Sequence, residues 1–176
     1  MKGRKILVLT VLLSGLLFCT QAQAIDLYGF GSYWDKSDVN GGEWGGGLGL
    51  SIPLFTEHLR LDGRGYFFDD SDFGPEDLGI TITPYDLGLQ AHILPNGPVD
   101  PYVLGGASYI YVDSDHFDLD SKWTGYLGAG VDVNLGLSMV KLFGEAIYRT
   151  GEIERVLGDD IDVSGFTGNV GIKLHF

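Results

Sequence analysis

Four aspartates crowd one short run, "DSDHFDLD", where Asp113, Asp115, Asp118 and Asp120 supply the densest oxygen donors in the chain. Hard cations such as calcium or magnesium take several such oxygens. The run lacks the turning glycine and terminal glutamate of an EF-hand loop, so it reads first as a solvated, self-repelling segment. A weak divalent-cation site is its second reading. "DDSDFGPED", from Asp69 to Asp77, reads the same way. Nucleophilic catalysis would need a base within hydrogen-bond reach of a hydroxyl. Of the four histidines, His58, His92 and His175 fall at one end of their segments. His116 alone lies in an acidic run, with Ser108, Ser114 and Ser121 nearby in sequence. No catalytic set and no cofactor follow from these residues.

A third group holds nine charges set among apolar residues: Arg60, Asp62, Arg64, Asp86, Asp132, Lys141, Glu145, Arg149 and Lys173. The elements that carry them alternate with period two, the signature of a strand with one oily and one polar face. In 58–67, Leu59, Leu61 and Phe67 lie opposite Arg60, Asp62, Arg64 and Tyr66. Leu87, Leu89 and Ile93 oppose Asp86, Gln90 and His92, and Leu127, Val131 and Val133 oppose Tyr126 and Asp132. Phe166, Val170, Ile172, Leu174 and Phe176 oppose Thr167, Asn169, Lys173 and His175. Segments 27–34 and 102–112 are aromatic or apolar on both faces, so their facing stays open.

Eight strand candidates emerge, joined by alternating long and short connections. The long ones are "DKSDVNGGE", "DDSDFGPED", "VDSDHFDLDSK" and "TGEIERVLGDDIDVSG"; the short ones are "PLFTE", "LPNGPVD" and "NLGLS". Long first and long last is the pattern of an up-and-down barrel with both termini at one rim. Eight is also the smallest strand number that closes such a transmembrane barrel.

Its start reads as an export signal: Lys2, Arg4 and Lys5 precede the apolar run 6–18, and Ala22 and Ala24 mark a cleavage site after residue 24. Cys19 follows the bulky Phe18, where a lipid-attachment signal has a small residue. The domain reading is a signal peptide at 1–24 and one barrel at 25–176. Losing the three basic leader residues takes the formal charge from −13 to −16, which excludes nucleic acid as a partner.

A soluble barrel would carry its ligand inside an apolar lumen and its charge outside. Here the strand-borne charges are nearly balanced, as an enclosed lumen requires, and 17 of the 24 acidic residues lie in the four long segments. The expected fold is therefore all-β, an eight-stranded antiparallel up-and-down transmembrane barrel with a charged interior. Such an interior is about wide enough for side chains to fill, so a plug is expected before a pore.

With its leader, its eight alternating segments, "PYVLGGASYIY" at 101–111, "LFGEAIYR" at 142–149 and the terminal Phe176, the chain resembles the outer-membrane protein β-barrels of the small OmpA and OmpX type. The resemblance implies residence in the bacterial outer membrane, periplasmic termini, and contact with lipid and lipopolysaccharide as a monomer. It also implies that Phe176 closes the signal read by the barrel-assembly machinery. Expected activity is surface interaction, adhesion or envelope integrity through the acidic loops. A lipid A modifying hydrolase and a narrow passive pore are the alternatives.

Overall fold

The computed structural model describes residues 25–36, 42–68, 80–95, 97–114, 122–137, 139–150, 152–153, 161–162 and 164–176. Eight long strands appear among them: β1 (Asp26–Lys36), β2 (Glu43–Leu54), β3 (Thr56–Phe68), β4 (Ile80–His92), β5 (Val99–Ser114), β6 (Lys122–Leu137), β7 (Val140–Thr150) and β10 (Gly165–His175). Two short strands, β8 (Glu152–Ile153) and β9 (Ile161–Asp162), form a separate two-stranded ribbon within the last long connection. Sequence periodicity cannot register such short pieces.

Every neighbouring pair of long strands is antiparallel, and β1 pairs with β10, so the sheet closes into a barrel. Closure continues past the strands, with Ile25 N–H donating to the Phe176 carbonyl at 3.1 Å and Phe176 N–H to that of Ile25 at 3.0 Å. The eight-stranded wall therefore has no unpaired edge, which is the condition for placing strands in hydrocarbon.

Alternation settles which face looks where. Leu48, Phe67, Leu87, Leu127, Val170 and Ile172 are exposed on the outside, while Asp62, Arg64, Asp86, Arg149, Asn169 and Lys173 are buried inside. The two strands with undecided facing now have one. On β1 the buried side chains are Asp26, Tyr28, Phe30, Ser32 and Trp34, and on β5 they are Asp100, Tyr102, Leu104, Ser108 and Ile110. Aromatic rings thus enter the lumen beside the charges, and inward glycines on adjacent strands make room for them. A Cβ at Gly130 would lie 2.5 Å from the Tyr102 ring, and one at Gly171 2.6 Å from Phe143.

On the outer face, Tyr33–Trp44, Tyr109–Trp123 and Tyr148–Phe166 form cross-strand ring pairs with centroids 5.0, 5.1 and 4.9 Å apart. All three lie toward the rim of the long connections, where amphipathic rings suit a membrane–water boundary. At the other rim β2 reverses into β3 through Phe55 alone, at φ 59°. Where β1 meets β10, outward-facing Gly29 and Gly31 leave a shallow groove bordered by Leu27, Leu48, Val170 and Ile172.

Candidate functional site

The candidate site is the lumen, and its centre is Arg64. Strands β3 and β7 stand on opposite sides of the ring, so their inward side chains meet only by crossing the whole interior. Arg64 from β3 and Glu145 from β7 do so and form an ion pair. The guanidinium also holds Asp62 through Nη2 at 2.5 Å and Nε at 2.8 Å. Glu145 accepts further hydrogen bonds from Asn169 Nδ2 at 2.8 Å and from the Tyr102 hydroxyl at 2.9 Å. Asp62 accepts from the Tyr28 hydroxyl at 2.6 Å and from Gln90 Nε2 at 2.9 Å. Each buried carboxylate of this layer therefore has both a counter-ion and neutral donors, as ions away from water require.

Above and below this layer lie further pairs. Toward the long connections, Arg149 reaches Asp86 at 2.5 Å and Thr167 Oγ1 at 2.5 Å. Its guanidinium lies 4.6 Å from the Tyr66 ring centre and 5.9 Å from that of Trp34. Toward the short connections, Lys173 pairs with Asp132 at 2.8 Å. The ammonium sits among Tyr102, Phe143 and Tyr28, at 4.6, 4.9 and 5.6 Å from their centres. Desolvated cations over ring faces gain about 2 kcal/mol per contact.

Arg60, Asp62, Arg64, Asp86, Asp132, Glu145, Arg149 and Lys173 are all buried in this interior. Two of the nine charges are placed in ways that alternation alone does not give. Unlike Arg64, Arg60 does not reach across to Glu145; it pairs with Asp26 at 2.9 Å and donates from Nε to Ser51 Oγ at 2.8 Å, because it lies four residues, two pleat repeats, nearer the rim. Lys141 is only half-buried and makes no ion pair among the described residues. It sits beside Lys173 in register, near the start of β7 at the short-connection rim, where water can solvate it.

Sequence reasoning missed Asp26 and Asp100, both buried and both paired, Asp26 with Arg60 and with His175 at 2.6 Å, and Asp100 with His92 at 2.7 Å. The signal was present: each lies two residues before an inward tyrosine, Tyr28 or Tyr102. The aromatic character of both faces hid the phase.

Of the acidic candidates, Asp115, Asp118 and Asp120 lie outside the described residues, as do His116 and Ser121; Asp113 pairs by backbone with Thr81 in the β4–β5 ladder. Among the described residues, Ser108 is buried with no hydrogen-bond partner on its hydroxyl and no histidine paired with it.

No curated protein matches the chain. Among solved structures, the Neisserial surface protein A (NspA) superposes with a TM-score of 0.68 at 12% identity, covering 88% of this chain and 97% of that one. OprG, an outer membrane protein of Pseudomonas aeruginosa, gives 0.65 at 16%, covering 88% and 96%. Ail, the attachment invasion locus protein of Yersinia pestis, gives 0.55 at 17%, covering 88% and 97%. At such identities the likeness shows the fold alone. The family model for the outer membrane protein beta-barrel domain matches residues 10–173. With that match over nearly its whole length, and a closed eight-stranded barrel beneath it, the chain belongs to the outer membrane protein β-barrel family.

Proposed function

We propose that this protein is a monomeric, non-enzymatic barrel of the bacterial outer membrane whose long acidic segments act at the cell surface, in adhesion or envelope integrity. Residues 1–24 are removed as a leader, both termini face the periplasm, and Phe176 completes the strand that the assembly machinery reads. The observation that carries the reading is the Arg64–Glu145 pair spanning the lumen. An interior cross-linked at mid-height is built to hold shape rather than to pass solutes, which leaves the connections as the working parts. Acid in those connections, beside lipopolysaccharide phosphates, favours bridging by divalent cations. Ail's description as an attachment protein supports adhesion for barrels of this shape.

The test compares deletion cells carrying the wild-type protein with cells carrying Asp113, Asp115, Asp118 and Asp120 all changed to Asn. The neutralised protein should fold yet fail to restore attachment or resistance to detergent with chelator. Protease on intact cells should cut at Arg155 and spare the Phe55 turn. Full restoration by the neutralised protein, cleavage at Phe55 first, a lipid A mass change that depends on the protein, or steady single-channel conductance would each sink this reading.

A further inference from the structure

At the short-connection end of the lumen, three adjacent strands each contribute one metal-ligating side chain: His92 from β4, Asp100 from β5 and Asp132 from β6. All three are buried, and one donor atom from each lies within 4.8 Å of the other two. Asp100 and Asp132 are directly opposite in the β5–β6 register. Like charges so placed repel.

A chain of hydrogen bonds fixes the protons around His92. Gln90 donates its amide nitrogen to Asp62 Oδ1 at 2.9 Å, which turns its carbonyl oxygen toward His92 Nε2 at 3.2 Å. His92 Nδ1 faces Asp100 Oδ2 at 2.7 Å. The other oxygen of Asp100 accepts from the Leu94 N–H at 3.0 Å. Both ring nitrogens therefore face oxygen acceptors. A neutral imidazole has one N–H, so one of these contacts would set lone pair against lone pair. With that single N–H on Nε2, donated to the Gln90 carbonyl, the space between Nδ1 and Asp100 is left for a cation.

Charge balance says how much. Among the described residues the buried carboxylates are Asp26, Asp62, Asp86, Asp100, Asp132 and Glu145, against Arg60, Arg64, Arg149 and Lys173. With neutral histidines the interior is two positive charges short. We propose that a divalent transition-metal ion of the zinc or manganese class binds between His92 Nδ1, Asp100 and Asp132. One imidazole nitrogen with two carboxylate oxygens suits such ions better than calcium. Bonds of about 2.0–2.2 Å place opposed donors no more than about 4.4 Å apart, so the cluster closes by a few tenths of an ångström on binding. Gln90 then orients the imidazole from its far side, the usual outer contact of a ligating histidine. Lys173 gives up part of its hold on Asp132 but keeps its place among the rings of Tyr102, Phe143 and Tyr28.

The test uses the whole mature chain in detergent, stripped with chelator and held in excess Mg²⁺ to occupy surface carboxylates. Zn²⁺ is titrated by calorimetry, Co²⁺ by visible absorption, and the His92 ring is followed by ¹⁵N NMR. One ion should bind per barrel and move the His92 Nδ1 resonance. Asp132→Asn should weaken binding by more than about tenfold, and His92→Gln should abolish it, while His58→Gln leaves it unchanged. Absence of Zn²⁺ binding by the wild type, or equal binding by His92→Gln and Asp132→Asn, overturns the proposal. Should either variant fail to fold, the wild-type spectrum decides: a His92 ring carrying both N–H protons before and after Zn²⁺ means that a proton fills the gap, and the metal site is refuted.

Discussion

Changing Glu145 to glutamine removes one negative charge from the middle of the lumen while keeping every heavy-atom position. Its oxygens now serve Arg64, Asn169 Nδ2 at 2.8 Å and the Tyr102 hydroxyl at 2.9 Å. The amide retains an oxygen for the first two but sets an NH2 group against the tyrosine, whose hydroxyl must turn to accept. Neutralising one partner of a buried ion pair costs about 3–5 kcal/mol when the other is left alone. Arg64 is not left alone, because Asp62 still takes Nη2 at 2.5 Å and Nε at 2.8 Å. The expected loss is therefore about 2 kcal/mol, below that range. For a urea slope of about 2 kcal/mol/M, the unfolding midpoint falls by about 1 M. Tryptophan fluorescence reports the transition in detergent, with Trp34 inside the lumen and Trp44 and Trp123 outside, and unheated gel mobility checks it. Lys141→Gln is the control and should leave the midpoint where it is. An unchanged midpoint for Glu145→Gln, or an equal fall for Lys141→Gln, refutes the claim that the cross-lumen pair holds the interior together.

Gly130→Ala should cost about 1–3 kcal/mol, since its new methyl meets the Tyr102 ring, whereas Gly168→Ala, with open space around it, should be nearly neutral; equal unfolding curves would show that the ring simply moves aside. Phe176→Asp should slow insertion by the assembly machinery and leave aggregates in the periplasm, measured by pulse-chase and protease protection. Wild-type insertion rates would remove the role given to the terminal residue.

What the sequence made legible follows from period two. On β3 and β10 the polar and apolar sets separate cleanly, so Arg64 and Lys173 could be turned inward without coordinates. On β1 and β5 an aromatic residue suits either environment, because its ring is oily enough for lipid and its faces attract cations. Asp26 and Asp100 were lost with those two strands, and the charge tally of the lumen changed sign with them. The partner of Arg60 was also out of reach, since alternation gives a side but not a height, and height follows from the stagger of one strand against the next. Asp86 and Arg149 could be placed on the same side of the wall, but their contact depends on how far a guanidinium leans across the ring.

The groove at the β1–β10 junction bears on how the barrel acquires its size. With strand number settled, the diameter and the tilt of the strands depend on shear, the offset accumulated in one circuit of the wall. That offset is fixed when the first strand meets the last. Outward Gly29 and Gly31 offer no side chains to interlock with Val170 and Ile172, and glycine-rich strands specify register weakly. The lock must come from within. Asp26 lies opposite His175 and is bound to it and to Arg60; a slip of two residues would set Asp26 against Lys173 and draw that lysine from Asp132. A single aspartate near the first described residue thus acts as the gauge stop that sets the circumference of the whole wall.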